Sequence, residues 1–199
     1  VRAMSRTLFA TRLYEAMIDD EQLLGELAHS IRSFAEEDEA GKCWSREKAY
    51  KGYTSYASLN DLPRRDPAFD DLKRVLTAHA VRFAKDLAWG VKPKLDSIWV
   101  NLLKPGGHHS AHIHPHSILS GTLYVEVAKG SGPIRFEDPR LPMMMAAPVR
   151  DEDAAEELRP FVAVEPRPGL LLLWESWLRH EVLPGTAKAD RLSISFNFA

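Results

Sequence analysis

A single cysteine, Cys43, in 199 residues removes any internal disulfide framework from consideration. It suits a reducing compartment, with the cytoplasm as the simplest location, and the thiol itself is expected to be half-buried and inert. Charge of one sign is equally scarce, since 26 Lys and Arg oppose 28 Asp and Glu for a formal net charge of -2. A balanced total gives no broad attraction to nucleic acid or to an anionic membrane, so neither is expected as a partner. No apolar run reaches the roughly 18 to 20 residues that span a bilayer. The opening stretch Val1 to Arg6 lacks the apolar core of a secretory signal. Several catalytic signatures are missing too. There is no Gly-x-Ser-x-Gly elbow, no Gly-x-x-x-x-Gly-Lys-Ser/Thr phosphate loop, and one cysteine far from the histidines serves neither a zinc finger nor a thiol triad.

What is present reads as one ordinary globular domain over residues 1–199, 45% apolar and 27% charged. Its first 96 residues form a helical support region. Leu23, Leu24, Leu27, Ala28, Ile31, Phe34 and Ala35 make one helical stripe behind Asp19 and Asp20 as caps. A second helix opens at Asp66-Pro67, carries Phe69, Leu72, Leu76, Ala80, Phe83 and Leu87 at three- and four-residue steps, and stops at Gly90. Stripes of this kind pack on a sheet, and His29 and His79 within them read as surface or capping residues. From residue 97 the pattern shortens to β-type runs: Ser97–Leu103, Ile118–Val127, Ile134–Phe136, Phe161–Val164, Leu170–Trp174, His180–Leu183 and Leu192–Phe198. Gly- and Pro-rich turns separate them, as in an antiparallel barrel or jelly roll. The expected fold is α+β, with helices first and a β core over 97–199. One connection, Asp138 to Pro160, is long enough to be a lid or binding loop or a plain surface excursion.

Histidine is the residue in excess: five of the eight fall within nine residues, His108, His109, His112, His114 and His116, and His180 follows far downstream. Imidazole suits iron, zinc, copper and nickel, and ligands two apart on a strand project to one side. His112 with His114 satisfies that spacing, as does His114 with His116. His180, from a distant strand, would supply a third ligand and leave open metal positions, as catalysis requires. His108 and His109 lie in a Gly-rich turn, suited to solvent or substrate contact. Glu126, Glu137 and Asp138 are the nearby carboxylates that could join the set. Trp174 and Trp177 flank His180 and read mainly as core. Arg191-x-Ser193, eleven residues beyond His180, is suited to anchoring an organic acid beside the metal. Asn101 reads equally as a second anchor or as a satisfied core amide.

With these residues in order, the segment 97–199 resembles the double-stranded β-helix (jelly-roll, cupin-like) oxygenases that use Fe(II) and 2-oxoglutarate. His112 and His114 match the family's His-x-Asp/Glu motif, with His114 in the carboxylate's place, and His180 matches its distal histidine. Arg191-x-Ser193 matches the Arg-x-Ser that binds the distal carboxylate of 2-oxoglutarate, and Tyr124 matches a tyrosine that assists it. More closely, His112-Ile-His114-Pro, Ile118-Leu-Ser120-Gly121, Trp177-Leu-x-His180-x-Val and Arg191-x-Ser-x-Ser-Phe-Asn197 are similar to an uncharacterised branch of these enzymes with a His-x-His-Pro motif. The resemblance implies a dioxygenase that hydroxylates an unidentified small-molecule or peptide substrate. It also implies iron held by His112, His114 and His180, and 2-oxoglutarate met by Arg191, Ser193, Tyr124 and Asn101. Two other classes stay open. One is a three-histidine cupin-like enzyme that takes substrate directly on the metal, against which Arg191-x-Ser193 argues. The other is a metal- or small-molecule-binding module without catalysis. Oligomeric state is open as well, a homodimer being common for such barrels.

Overall fold

The structure, a computed structural model, describes residues 3–199; Val1 and Arg2, the head of the stretch read for a signal, lie outside the described residues. Helix α1 (Glu21–Glu37) starts where the Asp20 carboxylate accepts from the Leu23 N–H at 3.0 Å. It ends at Asp38, whose side chain accepts from the Gly41 N–H at 3.0 Å and so begins α2 (Glu39–Glu47). After α3 (Leu62–Arg65), Asp66 caps α4 (Pro67–Asp86), accepting from the Ala68 N–H at 2.8 Å. Proline at the first helical position costs no hydrogen bond there. The helix closes four residues short of Gly90, at Asp86. Its stripe Phe69, Leu72, Leu76, Ala80 and Phe83 is fully buried. At such sites a Leu→Ala change costs about 2–5 kcal/mol.

The strands are β1 (Leu13–Met17), β2 (Gly52–Thr54), β3 (Leu95–Leu103), β4 (His109–His112), β5 (Leu119–Glu126), β6 (Ile134–Glu137), β7 (Phe161–Val164), β8 (Leu170–Glu175), β9 (His180–Val182) and β10 (Arg191–Phe198). They form a six-stranded sheet, β1-β8-β5-β10-β3-β2, and a four-stranded sheet, β4-β9-β6-β7, antiparallel at every pairing. From β3 to β10 the chain passes back and forth between the two sheets, the only consecutive strands in that stretch that share a sheet being β6 and β7, which is the double-stranded β-helix. The seven expected β runs all appear, with ends shifted by a residue or two, but the first 96 residues are not purely helical. β1 and β2 come from that region and extend the larger sheet at its two edges.

Period-two alternation divides the larger sheet's faces. Ile98, Val100, Leu119, Leu123, Leu171, Leu173, Ile194 and Phe196 join α1 and α4 in one apolar core. The intervening residues Trp99, Asn101, Thr122, Tyr124, Trp174, Arg191, Ser193, Ser195 and Asn197 line a cavity between the sheets. Helices on one face thus hold the sheet as a rigid wall, leaving its polar face for chemistry.

Two local expectations are corrected. Cys43 is exposed rather than half-buried, because α2 turns only Gly41 and Ser45 fully inward. His79 is not a plain surface residue, since its Nδ1 lies 2.8 Å from the Tyr14 hydroxyl of β1. His29 is exposed as expected. The long connection between β6 and β7 carries two single turns, Leu141–Met143 and Glu156–Leu158, with Met143, Met145 and Val149 exposed. None of its residues lines the cavity.

Candidate metal centre

His112 is the last residue of β4 and lies in register with His180, the first residue of β9. The third histidine, distant in sequence, therefore comes from the strand hydrogen-bonded to β4 in the small sheet. His114 is also placed differently from expectation: β4 stops at His112, and His114 sits two residues beyond it, its N–H donating to Ser176 O at 3.0 Å. Pro115 follows directly and has no N–H to extend the ladder. The side chains converge all the same. Ring centroids are 5.1 Å apart for His112 and His114, 4.4 Å for His112 and His180, and 5.1 Å for His114 and His180. One ring nitrogen from each lies within 4.8 Å of the others.

Hydrogen bonding assigns the tautomers. His112 Nδ1–H donates to Ser110 O at 2.7 Å, and His180 Nδ1–H donates to Leu178 O at 2.9 Å. His114 Nδ1–H donates to Asn197 Oδ1 at 2.6 Å. A carbonyl oxygen only accepts, so each Nδ1 carries the proton and each Nε2 presents its lone pair. The Asn197 amide is itself oriented: Ser120 Oγ donates to its Oδ1 at 2.9 Å, and its Nδ2 donates to Ser97 Oγ at 3.1 Å. Outer hydrogen bonds of this kind orient metal-binding imidazoles. Burial, then the neighbouring His112, pushes His180 down to about 3. Burial also lowers His114, against the opposing bond to Asn197. Both rings are therefore neutral near pH 7, as ligands must be.

The other candidates lie elsewhere. His116 is exposed with φ 71° and is absent from the cluster and from the cavity wall. His108 stands exposed at the cavity mouth. His109 is drawn inward, its Nε2 2.9 Å from the Tyr50 hydroxyl, and burial with Arg191 nearby pushes it down to about 3. The three carboxylates are paired away from the site: Glu126 with Arg32 at 2.6 Å, Glu137 with Arg179 at 3.3 Å and Asp138 with Arg140 at 2.8 Å. No Asp or Glu lines the cavity among the described residues.

That cavity, about 610 Å³, also holds Arg191, Ser193, Tyr124 and Asn101. Arg191, at the start of β10, is 4% exposed and forms no salt bridge among the described residues. Its hydrogen bond goes to Gly132 O at 3.1 Å, while its Nε has no partner, and its guanidinium lies 5.5 Å from the Tyr124 ring centroid. A buried cation without a carboxylate is costly unless a ligand supplies the charge. Burial pushes the Tyr124 phenol up to about 12, so it remains a protonated donor. Asn101 is spent locally, its Nδ2 donating to Ser195 Oγ at 3.1 Å and its Oδ1 accepting from Tyr50 at 3.5 Å. Trp174 is buried, its ring centroid 4.7 Å from that of His180 and its indole N–H without an acceptor, whereas Trp177 is exposed. Tyr50 and His109 are the site residues that sequence reasoning undervalued. Tyr50 lies far upstream of the barrel motifs and carries no local signal.

Fold and site together define a class: a double-stranded β-helix with an imidazole cluster and an unpaired buried arginine in one cavity. The family model described as "Putative 2OG-Fe(II) oxygenase" matches residues 97–197, and the chain belongs to that family. It is thus an oxygenase of the kind that uses Fe(II) and 2-oxoglutarate. No curated protein sequence matches the chain. Among solved structures it is similar to a prolyl-4-hydroxylase of Pseudomonas putida, with 19% identity and a TM-score of 0.61 over 94% of this chain and 92% of that one. It is similar also to SnoN, a non-heme alpha ketoglutarate dependent epimerase from nogalamycin biosynthesis, with 15% identity and a TM-score of 0.65 over 95% and 78%. AviO1 from Streptomyces viridochromogenes Tue57 gives 15% identity and a TM-score of 0.63 over 95% and 90%. At these identities the likeness carries the fold. The residues of the site come from the structure of this chain alone.

Proposed function

We propose that the protein hydroxylates a C–H bond of an organic substrate, with His112, His114 and His180 holding the iron and Arg191, Ser193 and Tyr124 receiving the distal carboxylate of 2-oxoglutarate. The carrying observation is the meeting, in one cavity, of three imidazoles whose Nδ1 protons are already engaged with a buried arginine that lacks an anion. The donor set fits a first-row divalent metal. The orphaned Arg191 Nε fits a carboxylate, for which guanidinium is the matching donor.

When bound, iron with 2-oxoglutarate supplies the oxidising chemistry: substrate C–H, O2 and 2-oxoglutarate become C–OH, succinate and CO2. The protein's residues do the rest. Ser110 O, Leu178 O and Asn197 hold the three imidazoles in the ligating tautomer. Arg191, Ser193 and Tyr124 select a diacid of the right length, and the buried Trp174 and Ile134 exclude water beside them. Asn101 acts one step back, fixing Ser195 and Tyr50 in the wall.

The experiment adds Fe(II) and 2-oxoglutarate without oxygen, then admits oxygen and measures succinate. A visible charge-transfer band followed by succinate formation supports the reading. Bound metal with neither band nor succinate sinks it in favour of a binding module. Metal-dependent oxygen consumption without 2-oxoglutarate would favour the cupin-like alternative.

A further inference from the structure

Besides the histidine cluster and Arg191, the cavity is lined by residues of the segment 44–56, which lies outside the part matched by the family: Tyr50 reaches in to Asn101 and His109, while Trp44, Lys48, Lys51 and Tyr56 form the outer wall. Trp44, in the last turn of α2, and Lys48, its C-cap residue four positions on, lie on the same side of the helix end, and both line the cavity. Lys51 and Tyr56 follow on either side of β2. The segment is fixed, because Gly52 to Thr54 pair with β3 and Lys104 N–H donates to Lys51 O at 2.9 Å. Lys51 Nζ lies over the Gly106 turn, 2.9 Å from where a Cβ on that glycine would sit.

Two properties of this wall go together. Aromatic rings run from solvent to the cluster: Trp44 to Tyr56 at 5.9 Å between centroids, Tyr56 to Trp99 at 5.2 Å, and Trp99 to His114 at 5.9 Å. Tilted and edge-on rings at these separations leave faces and edges for a further ring. The charge lining the same cavity has one sign. Lys48, Lys51 and Arg191 line it, no Asp or Glu does among the described residues, and neither lysine is paired with a carboxylate among them. The chain as a whole has more acidic than basic residues, so this sorting is local. Neutral imidazoles leave the metal's charge undiminished by any protein carboxylate. After a dianionic cosubstrate is seated, the two lysines at the mouth still lack a counter-charge. Aromatic rings alone would also accept a cation. The lysines and the metal oppose one, and a low-dielectric cleft strengthens that opposition.

We infer that the substrate is a small aromatic organic anion whose ring lies along Trp44, Tyr56 and Trp99 and whose acidic group is held by Lys48 and Lys51. This rests on the iron and 2-oxoglutarate reading, since that cosubstrate must occupy Arg191 for the lysines to be the remaining anion site. A cavity of about 610 Å³ lies within the range of pockets that hold small molecules.

The test uses the full chain loaded anaerobically with Fe(II) and 2-oxoglutarate, and titrates three probes of one shape by calorimetry: 2-naphthoate, 2-naphthamide and 2-naphthylmethylammonium. The expected result is 2-naphthoate at least tenfold tighter than the neutral amide and the ammonium weakest. In the Lys48→Glu, Lys51→Glu double variant the 2-naphthoate advantage disappears while the amide still binds; the Lys48→Gln, Lys51→Gln pair gives an intermediate value. Trp44→Ala weakens the acid and the amide by the same factor. Equal affinity for acid and amide, preference for the ammonium, or no binding of any probe overturns the inference. The charge-transfer band is read in the same samples before the probes are added. Its absence in the wild type overturns the cofactor reading, whereas its presence with equal probe affinities overturns the substrate class alone.

Discussion

The cavity has two makers, and they obey different rules. Its inner end comes from residues 97–197, where strand pairing sets each side chain: His112 faces His180 across β4 and β9, and Arg191, Ser193, Ser195 and Asn197 line one face of β10. Its outer wall, Trp44, Lys48, Lys51 and Tyr56, comes from residues 44–56, a helix end, a turn and a three-residue strand laid on the edge of the larger sheet, with Tyr50 of the same segment reaching in to His109 and Asn101. The inner end is polar, internally hydrogen-bonded and served by the barrel's own ladder. The outer wall is aromatic and basic, with exposed Lys48, Lys51 and Tyr56. Chemistry common to a family belongs on the rigid barrel, and discrimination belongs on attached segments that can change without disturbing it.

That contrast can be broken at several points. The largest effect is expected for His180→Ala, which removes the buried imidazole that we propose holds the iron and should abolish both iron binding and succinate formation; metal titration checks it. Retained stoichiometric iron would break the three-histidine assignment. Arg191→Ala comes next. It should weaken 2-oxoglutarate binding by about 2–5 kcal/mol, the usual cost of breaking a buried charge-assisted pair, with iron affinity nearly intact and the thermal midpoint of the metal-free protein not lowered. A large fall in that midpoint would make the arginine structural. Asn197→Ala frees His114 to turn and should lower iron affinity by roughly 10–100-fold, measured by competition with a chelator. At the outer wall, Gly52 has φ 144° and an added Cβ would lie 1.9 Å from Leu102 O. Gly52→Ala should therefore lower the thermal midpoint by forcing β2 off β3. An unchanged midpoint would show that the wall is not anchored there.

The last effect concerns pH. His109 and His180 are pushed from 6.5 to about 3, chiefly by burial. The unfolded chain then binds more protons than the folded one as pH falls below 6.5, so their contribution erodes from there toward pH 3. Metal-free protein should be less resistant to urea at pH 5 than at pH 7. Equal resistance would contradict the burial of neutral imidazoles.

The same two regions differ in how much their residues announced. The barrel strands were legible because Ile98, Val100, Ile194 and Phe196 alternate with Trp99, Asn101, Ser193, Ser195 and Asn197, and because His112, His180 and Arg191 keep a recognisable order. β4 was hidden by its brevity and by the Gly-rich stretch before it, so His109 read as part of a turn. β2 and β1 are short edge strands whose hydrogen bonds depend on the neighbour they meet, a property no local window contains. Helix α2 escaped because only Gly41 and Ser45 of its nine residues are fully buried, too weak a stripe to show periodicity. Tyr50 and Trp44 were silent for the same reason, since their meaning comes from the sheet edge that receives them. The relative placement of His112, His114 and His180 was foreseen as a set, but with the wrong strand geometry for His114.

The most direct test of the central claim, that the histidine cluster and Arg191 form one site, is calorimetric titration of 2-oxoglutarate into the protein with and without Fe(II), under nitrogen. The account predicts one equivalent bound, tighter with iron than without, and by linkage the same factor of tightening for iron when 2-oxoglutarate is present. Affinity for 2-oxoglutarate that is indifferent to iron would separate the arginine from the histidines and contradict it.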